Sequence, residues 1–200
     1  MEQVLEFLDH IDKELLLYLH SQSTPFLDVA MVAVTEKHNW IPLYLILILA
    51  LIRQFGWQAV YSMVAVILLV IISDQLTSGF MKPFFGRFRP CHDPEIGHLI
   101  RIIRRCGGEF GFVSSHAANS FSVSTFFILL FRKSHRYVWW ILIWPLLFSY
   151  SRIYLGVHYP FDVLCGAVVG IGLGWLVFWV TEKLSESVPF EFRPVTRSHD

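Results

Sequence analysis

Between residues 57 and 81 the chain carries one charged side chain, Asp74, in an otherwise apolar run. A helix of that length crosses a bilayer, and water-soluble folds have few places to put one. Residues 40–52, 115–131, 137–150 and 160–180 repeat the pattern between short polar breaks, and a weaker stretch at 25–36 carries Asp28. The run at 40–52 is short for ~30 Å of hydrocarbon and needs its flanks, or a snorkelling Arg53, to reach across. Of 200 residues, 54% are hydrophobic and only 16% charged, where soluble domains carry about 25% charged. Too few polar side chains remain to coat a globule in water, and the same arithmetic excludes disorder. The 16 basic and 16 acidic residues cancel, which gives no electrostatic case for a nucleic-acid partner. The expectation is an all-α, polytopic membrane helix bundle with about six transmembrane helices.

Ahead of the spans, Val4, Leu8, Ile11, Leu15 and Tyr18 recur at helical spacing, with Glu2, Glu6, Asp9 and Lys13 on the other face. No small-residue cleavage site follows, so the segment does not read as a secretory signal. It reads as an amphipathic interfacial helix; a soluble-style helix packed on the end of the bundle is the plain alternative. The chain thus divides into an N-terminal helix (1–22), a membrane-embedded domain (23–184) and a polar tail (185–200). Gly166, Gly170 and Gly174 form a small-xxx-small pattern that admits a close neighbour. That neighbour is a helix of the same chain or of a second copy, so monomer and homodimer both remain open. Counting spans puts loop 82–113 and the turn at 151–160 on one side. Residues 53–56 and 132–136, with Arg53, Arg132, Lys133, Arg136 and both termini, fall on the other, which the positive-inside rule makes cytoplasmic.

Three polar clusters border the spans on the first side. Lys82 is followed by Arg87, Arg89 and Pro90; Val113-Ser114-Ser115-His116 opens a span; Ser151-Arg152 precedes His158 and Asp162. Each residue alone has a plain reading: a snorkelling Lys, a capping His, an Asp in a first helical turn. Together they describe a ligand. Lys82, Arg89 and Arg152 concentrate positive charge suited to a tetrahedral anion. Ser114 and Ser115, at a helix start, add hydroxyls and unpaired N–H groups. Two histidines and a carboxylate then suffice for a nucleophile, an orienting group and a general acid. No Walker-type glycine loop, HExxH or paired acidic cluster proposes a metal.

In this order and spacing, Lys-x6-Arg-Pro, Ser-x-His and Ser-Arg-x5-His-x3-Asp resemble the three signature motifs of the type 2 phosphatidic acid phosphatase superfamily, the lipid phosphate phosphatases, in its membrane-embedded bacterial branch. The second motif departs from the usual Pro-Ser-Gly-His, with Val113 for the proline and Ser115 for the glycine. The resemblance implies a metal-independent phosphohydrolase without cofactors, acting on a membrane lipid phosphate. It implies that His158 attacks phosphorus, that Asp162 orients its imidazole, and that His116 protonates the leaving oxygen and then activates water. It makes Lys82, Arg89, Arg152, Ser114 and the Ser115 amide the phosphate ligands. The site is expected on the extracytoplasmic face of a bacterial inner membrane. Candidate substrates are a polyprenyl diphosphate, phosphatidylglycerol phosphate, phosphatidic acid and a lipid A phosphate, with the compact chain favouring the first. The competing readings are a lipid-to-lipid phosphotransferase using the same site and a non-catalytic phosphate-lipid binder or transporter. The vanadate-dependent haloperoxidases share the motifs, but their soluble character does not fit this composition.

Other polar residues are open. Asp74 lies two helical turns before Lys82 and either supports the site or bonds neighbouring helices. Arg87 supports the site from behind or, like Arg101, Arg104 and Arg105, meets a second anion, with solvated loop charge the plain reading for the last three. Cys91 and Cys106 could close a loop as a disulfide in an oxidising compartment, stay free, or bind zinc with His92 or His98.

Overall fold

The computed structural model describes residues 2–187; residues 188–200 of the expected polar tail lie outside them. Eight α-helices follow in order: α1 (Glu2–Ser21), α2 (Pro25–Thr35), α3 (Ile41–Phe55), α4 (Ala59–Asp74), α5 (Lys82–Phe85), α6 (Ser115–Phe131), α7 (Ile143–Tyr154) and α8 (Pro160–Ser187). Among the described residues there is no strand, only an isolated bridge between Phe88 and Phe110. Lys37–Phe85 and Pro160–Ser185 are long and apolar enough to cross a membrane. The first of these folds back on itself at Gly56, whose φ of 59° suits a residue without Cβ. Beyond α4 the helix continues as a π-helical stretch, Gln75–Met81, straight into α5. Gly86, at φ 58°, then ends it, with its N–H on the Lys82 carbonyl at 3.0 Å.

Leu51, Leu69, Phe126, Phe127, Trp144 and Phe148, from α3, α4, α6 and α7, form the largest apolar cluster. The glycine pattern of α8 turns inward to α6: a Cβ at Gly166, Gly170 or Gly174 would run into the carbonyl oxygens of Ser114, Ala118 and Ser122 respectively. The seam therefore serves packing within one chain.

The N-terminal third differs from the span count. α2 has 11 residues, about 17 Å of helix at 1.5 Å per residue, far short of ~30 Å of hydrocarbon. Both its ends also meet the same polar layer. Asp28 accepts from Arg101 Nη2 and from the Tyr154 hydroxyl, each at 2.7 Å, and at the far end Thr35 accepts from Arg152 at 2.8 Å while Glu36 pairs with Arg104 at 2.6 Å. Both ends of α2 thus face that layer, and Arg101 and Arg104 are ion-paired while their side chains stay exposed. α1 lies there too: His20 Nδ1 meets the Tyr154 carbonyl and His20 Nε2 accepts the Arg101 N–H, both at 2.9 Å. The N-terminal helix is consequently on the side of loop 82–113, opposite to the expectation.

The faces of α1 are also assigned. Val4, Phe7, Leu8, Ile11, Leu15 and Tyr18 are exposed, whereas Asp12, Leu16 and His20 are buried against the protein. Leu16 joins Ile96, Ile100, Ile153 and Tyr159 in a second cluster beneath the loop.

Candidate active site

Three helix starts and ends converge here. Ser114 is the N-cap of α6, its hydroxyl accepting from the Ala117 N–H at 3.5 Å. Its own N–H donates to the backbone carbonyl of Asp162 at 2.9 Å, tying the start of α6 to the start of α8. Pro160 occupies the first position of α8, where a missing N–H costs nothing. Asp162 therefore falls in the first turn, with His158 just outside the helix. The turn that presents His158 is held from behind, because the Arg152 carbonyl accepts from the N–H groups of Val157 (3.1 Å) and His158 (3.3 Å).

His158 is 1% exposed and Asp162 0%. Its Nδ1 lies 3.3 Å from Asp162 Oδ2, which also accepts the Tyr159 N–H at 3.0 Å. On the other edge, Arg89 Nη1 is 3.1 Å from His158 Nε2. A guanidinium only donates, so Nε2 must accept and the ring proton must sit on Nδ1, facing the carboxylate. Burial first, then the charges of Arg89, Arg152 and Lys82, hold the imidazole well below its ordinary pKa. The result is a neutral imidazole whose Nε2 lone pair points at a cation. Arg89 is itself fixed by the carbonyls of Gly108 (2.7 Å) and Val157 (3.1 Å).

Lys82 Nζ donates to Ser115 Oγ at 2.9 Å, and Ser78 Oγ lies 2.8 Å from the same hydroxyl. Arg152 is buried, with Nη1 on Thr35 and Nε without a partner. Lys82, Arg89, Ser115 and His116 face a cavity of about 660 Å³. It continues between α3, α4, α6 and α7 past Leu47, Leu51, Met63, Val66 and Phe127. His116 sits where the polar and apolar parts meet, its ring 5.2 Å from that of Phe148. A site charged at one end and greasy along the other matches an amphiphile with an anionic head.

All eight residues expected at the site gather at this end of the bundle. Lys82, Arg89, Ser115 and His116 line the cavity wall, whereas Arg152, His158 and Asp162 lie behind it and Ser114 acts as a cap and a backbone tie. Asp74 borders the cavity and receives Asn119 Nδ2 at 3.4 Å and Ser78 Oγ at 3.5 Å, so it touches Lys82 only through Ser78. Arg87 is bound entirely to carboxylates: Asp162 Oδ1 and Asp9 Oδ1 at 2.9 Å and Asp12 Oδ2 at 2.8 Å. Burial works against its charge, yet Asp162 and Asp12 hold it above its ordinary value. Cys91 and Cys106 are paired as a disulfide, Cα–Cα 6.4 Å; His92 is close enough to share an ion with them, but joined sulfurs offer no thiolate for zinc. Sequence reasoning missed Asp12, Ser78, Thr35 and Lys37, the last of which lines the cavity. Only their position beside the motifs in space reveals them.

Comparison with known proteins bears on the same region. The sequence pattern of the PAP2 superfamily matches residues 61–186. A lipid A 4'-phosphatase of Bacteroides thetaiotaomicron is 41% identical over 186 residues, covering 91% of this chain and 82% of that protein. The undecaprenyl-diphosphatase BcrC of Bacillus subtilis is 28% identical over 86% of this chain and 84% of its own. Among solved structures, the PAP2-type phosphatidylglycerolphosphate phosphatase of Bacillus subtilis superposes with a TM-score of 0.63 at 21% identity, covering 90% of this chain and 87% of that one. LpxE of Aquifex aeolicus gives 0.59 at 23%, covering 83% and 93%. At those identities the structures speak to the fold.

Proposed function

Because the chain belongs to the PAP2 superfamily, we propose that it is a membrane lipid phosphatase that releases phosphate from a lipid phosphate through a phosphohistidine on His158. The observation that carries the reading is the His158 imidazole, held between Asp162 and Arg89, with Arg89 itself lining the polar end of the cavity. Nε2 of His158 attacks phosphorus as the bond to the lipid oxygen breaks, and His116 supplies the proton that this oxygen takes. Asp162 stabilises the imidazolium character that develops at Nδ1. Lys82, Arg89, Arg152 and the Ser115 hydroxyl and amide stabilise the equatorial oxygens as charge builds on them. His116 then takes a proton from water as the P–N bond breaks and inorganic phosphate leaves.

The lipid tail lies in the cavity between α3, α4, α6 and α7. On this reading five elements cross the bilayer (α3, α4 with its continuation, α6, α7 and α8). α1 lies in the interface on the site's side, its exposed apolar stripe toward lipid. That side is extracytoplasmic, where the Cys91–Cys106 pair is at home. The preference for a polyprenyl diphosphate drawn from chain size yields to a lipid A phosphate, which the 41% identical relative supports along nearly the whole chain. An undecaprenyl-type diphosphate is the second reading, favoured by the BcrC relative.

The test is phosphate release by purified protein from lipid A, polyprenyl diphosphate, phosphatidylglycerol phosphate and phosphatidic acid, each with excess EDTA. Release from lipid A above the others, unaffected by EDTA, is expected; phosphorylated acceptor lipid in place of free phosphate would identify a phosphotransferase. His158 must start neutral, and its pKa is depressed. The acid limb of the rate therefore falls below the ordinary histidine value of about 6.5.

A further inference from the structure

Arg87 stands inside the first charged run yet lines none of the cavity. Two of its three carboxylate partners, Asp9 and Asp12, come from α1, and its guanidinium lies 4.2 Å over the Tyr159 ring. Asp12 is 1% exposed. Besides pairing with Arg87, it accepts the Phe161 N–H at 2.9 Å, in the first turn of α8 and next to Asp162. Burying a carboxylate is costly unless charge and hydrogen bonds compensate it. A helix that served only as an anchor would have no use for one facing inward.

We propose that α1 is a positioning element for the reaction: Asp12, through Arg87 and through the Phe161 amide, fixes Asp162 and with it the tautomer and basicity of His158. This rests on His158 being the nucleophile. The two oxygens of Asp162 are divided, Oδ1 to Arg87 and Oδ2 to His158 and the Tyr159 N–H. Arg87 alone would pin Oδ1 but draw electron density from the carboxylate and weaken its grip on the imidazole N–H. Asp9 and Asp12 balance that charge while keeping the peg in place.

Asp12→Asn tests this, since it preserves size and the acceptor for Phe161 while removing the charge. In folded protein kcat falls about tenfold, as for neighbours within one charge network, while KM stays within about twofold. The acid limb moves to lower pH. His158 is faced by Asp162 from α8, Arg89 from the loop, Arg152 from α7, Lys82 from α5 and His116 from α6. Loss of a negative charge nearby leaves the cations less balanced. Asp9→Asn, on an exposed carboxylate, shifts the limb the same way by less. Because Asp12 acts through Arg87, the double variant Asp12→Asn/Arg87→Gln loses no more than Arg87→Gln alone. Unchanged kcat and acid limb in folded Asp12→Asn, or additive losses in the double variant, would overturn the proposal. If Asp12→Asn does not fold, the limb of Asp9→Asn decides in the same terms. Phosphate release by His158→Ala would instead remove the nucleophile reading, so the two failures are distinguishable.

Discussion

The first turn of α8 and its middle are held by different forces. At Pro160–Asp162, α8 is fixed by Asp12 on the Phe161 N–H, by Arg87 on Asp162 and by the Ser114 N–H on the Asp162 carbonyl. One turn further along, Gly166, Gly170 and Gly174 bring its backbone against that of α6 with no charge involved. The division follows the solvent. In hydrocarbon, burial of apolar surface gives helices no net reason to associate, so close backbone packing does it. At the polar end, ion pairs and hydrogen bonds can fix a side chain to a few tenths of an ångström, which chemistry requires and packing seams do not supply.

Three substitutions break the two halves of that comparison separately. The largest effect is expected from His158→Ala, which should lower phosphate release at least ~10³-fold, the scale for losing a nucleophile or proton-transfer group. Its thermal unfolding in detergent should stay near wild type, because Asp162 keeps Arg87 and the Tyr159 N–H. Next is Gly170→Ala. Its Cβ meets the Ala118 carbonyl, so α6 and α8 must part, at a cost of about 1–3 kcal/mol typical of overpacking. A lower unfolding temperature with an unmoved pH profile is the expected signature, and a moved profile would show that seam and site are not independent. The smallest is Lys13→Gln. Lys13 pairs with Asp9 at 2.8 Å and with the exposed Glu95 at 2.6 Å, and such pairs are worth ~1 kcal/mol or less. A measurable loss of stability that disappears in high salt would fit; a salt-independent loss would mean that Lys13, itself 17% exposed, supports Asp9 and Arg87 more firmly than the exposure of its partners suggests.

What was legible in the sequence follows the same boundary. Lys82, Arg89, Ser114, Ser115, His116, Arg152, His158 and Asp162 stand in short runs, so their spacing survives as pattern. The glycine seam was legible for the same reason. Asp12 was not, because its partners Arg87 and Phe161 are 75 and 149 residues away and leave no period. Along α1 the sequence marks a polar side through Glu2, Glu6, Asp9 and Lys13 without saying what that side meets. Asp12 faces into the protein while Leu8, Leu15 and Tyr18 face out. The pairing of α2 with the loop was not legible either, because hydropathy says nothing of partners, and Asp28 and Glu36 reach Arg101 and Arg104 across more than 65 residues.

The bond from the Ser114 N–H to the Asp162 carbonyl joins main chain to main chain. The residues that follow Ser114 and precede Asp162 carry the two histidines, so both are referred to one fixed point on the backbone. A lipid tail lying in the cavity between α3, α4, α6 and α7 would touch neither partner of that bond. The groove can then adapt to tails of different bulk while the two imidazoles keep their separation, which lets one fold exchange its lipid without redesigning its chemistry.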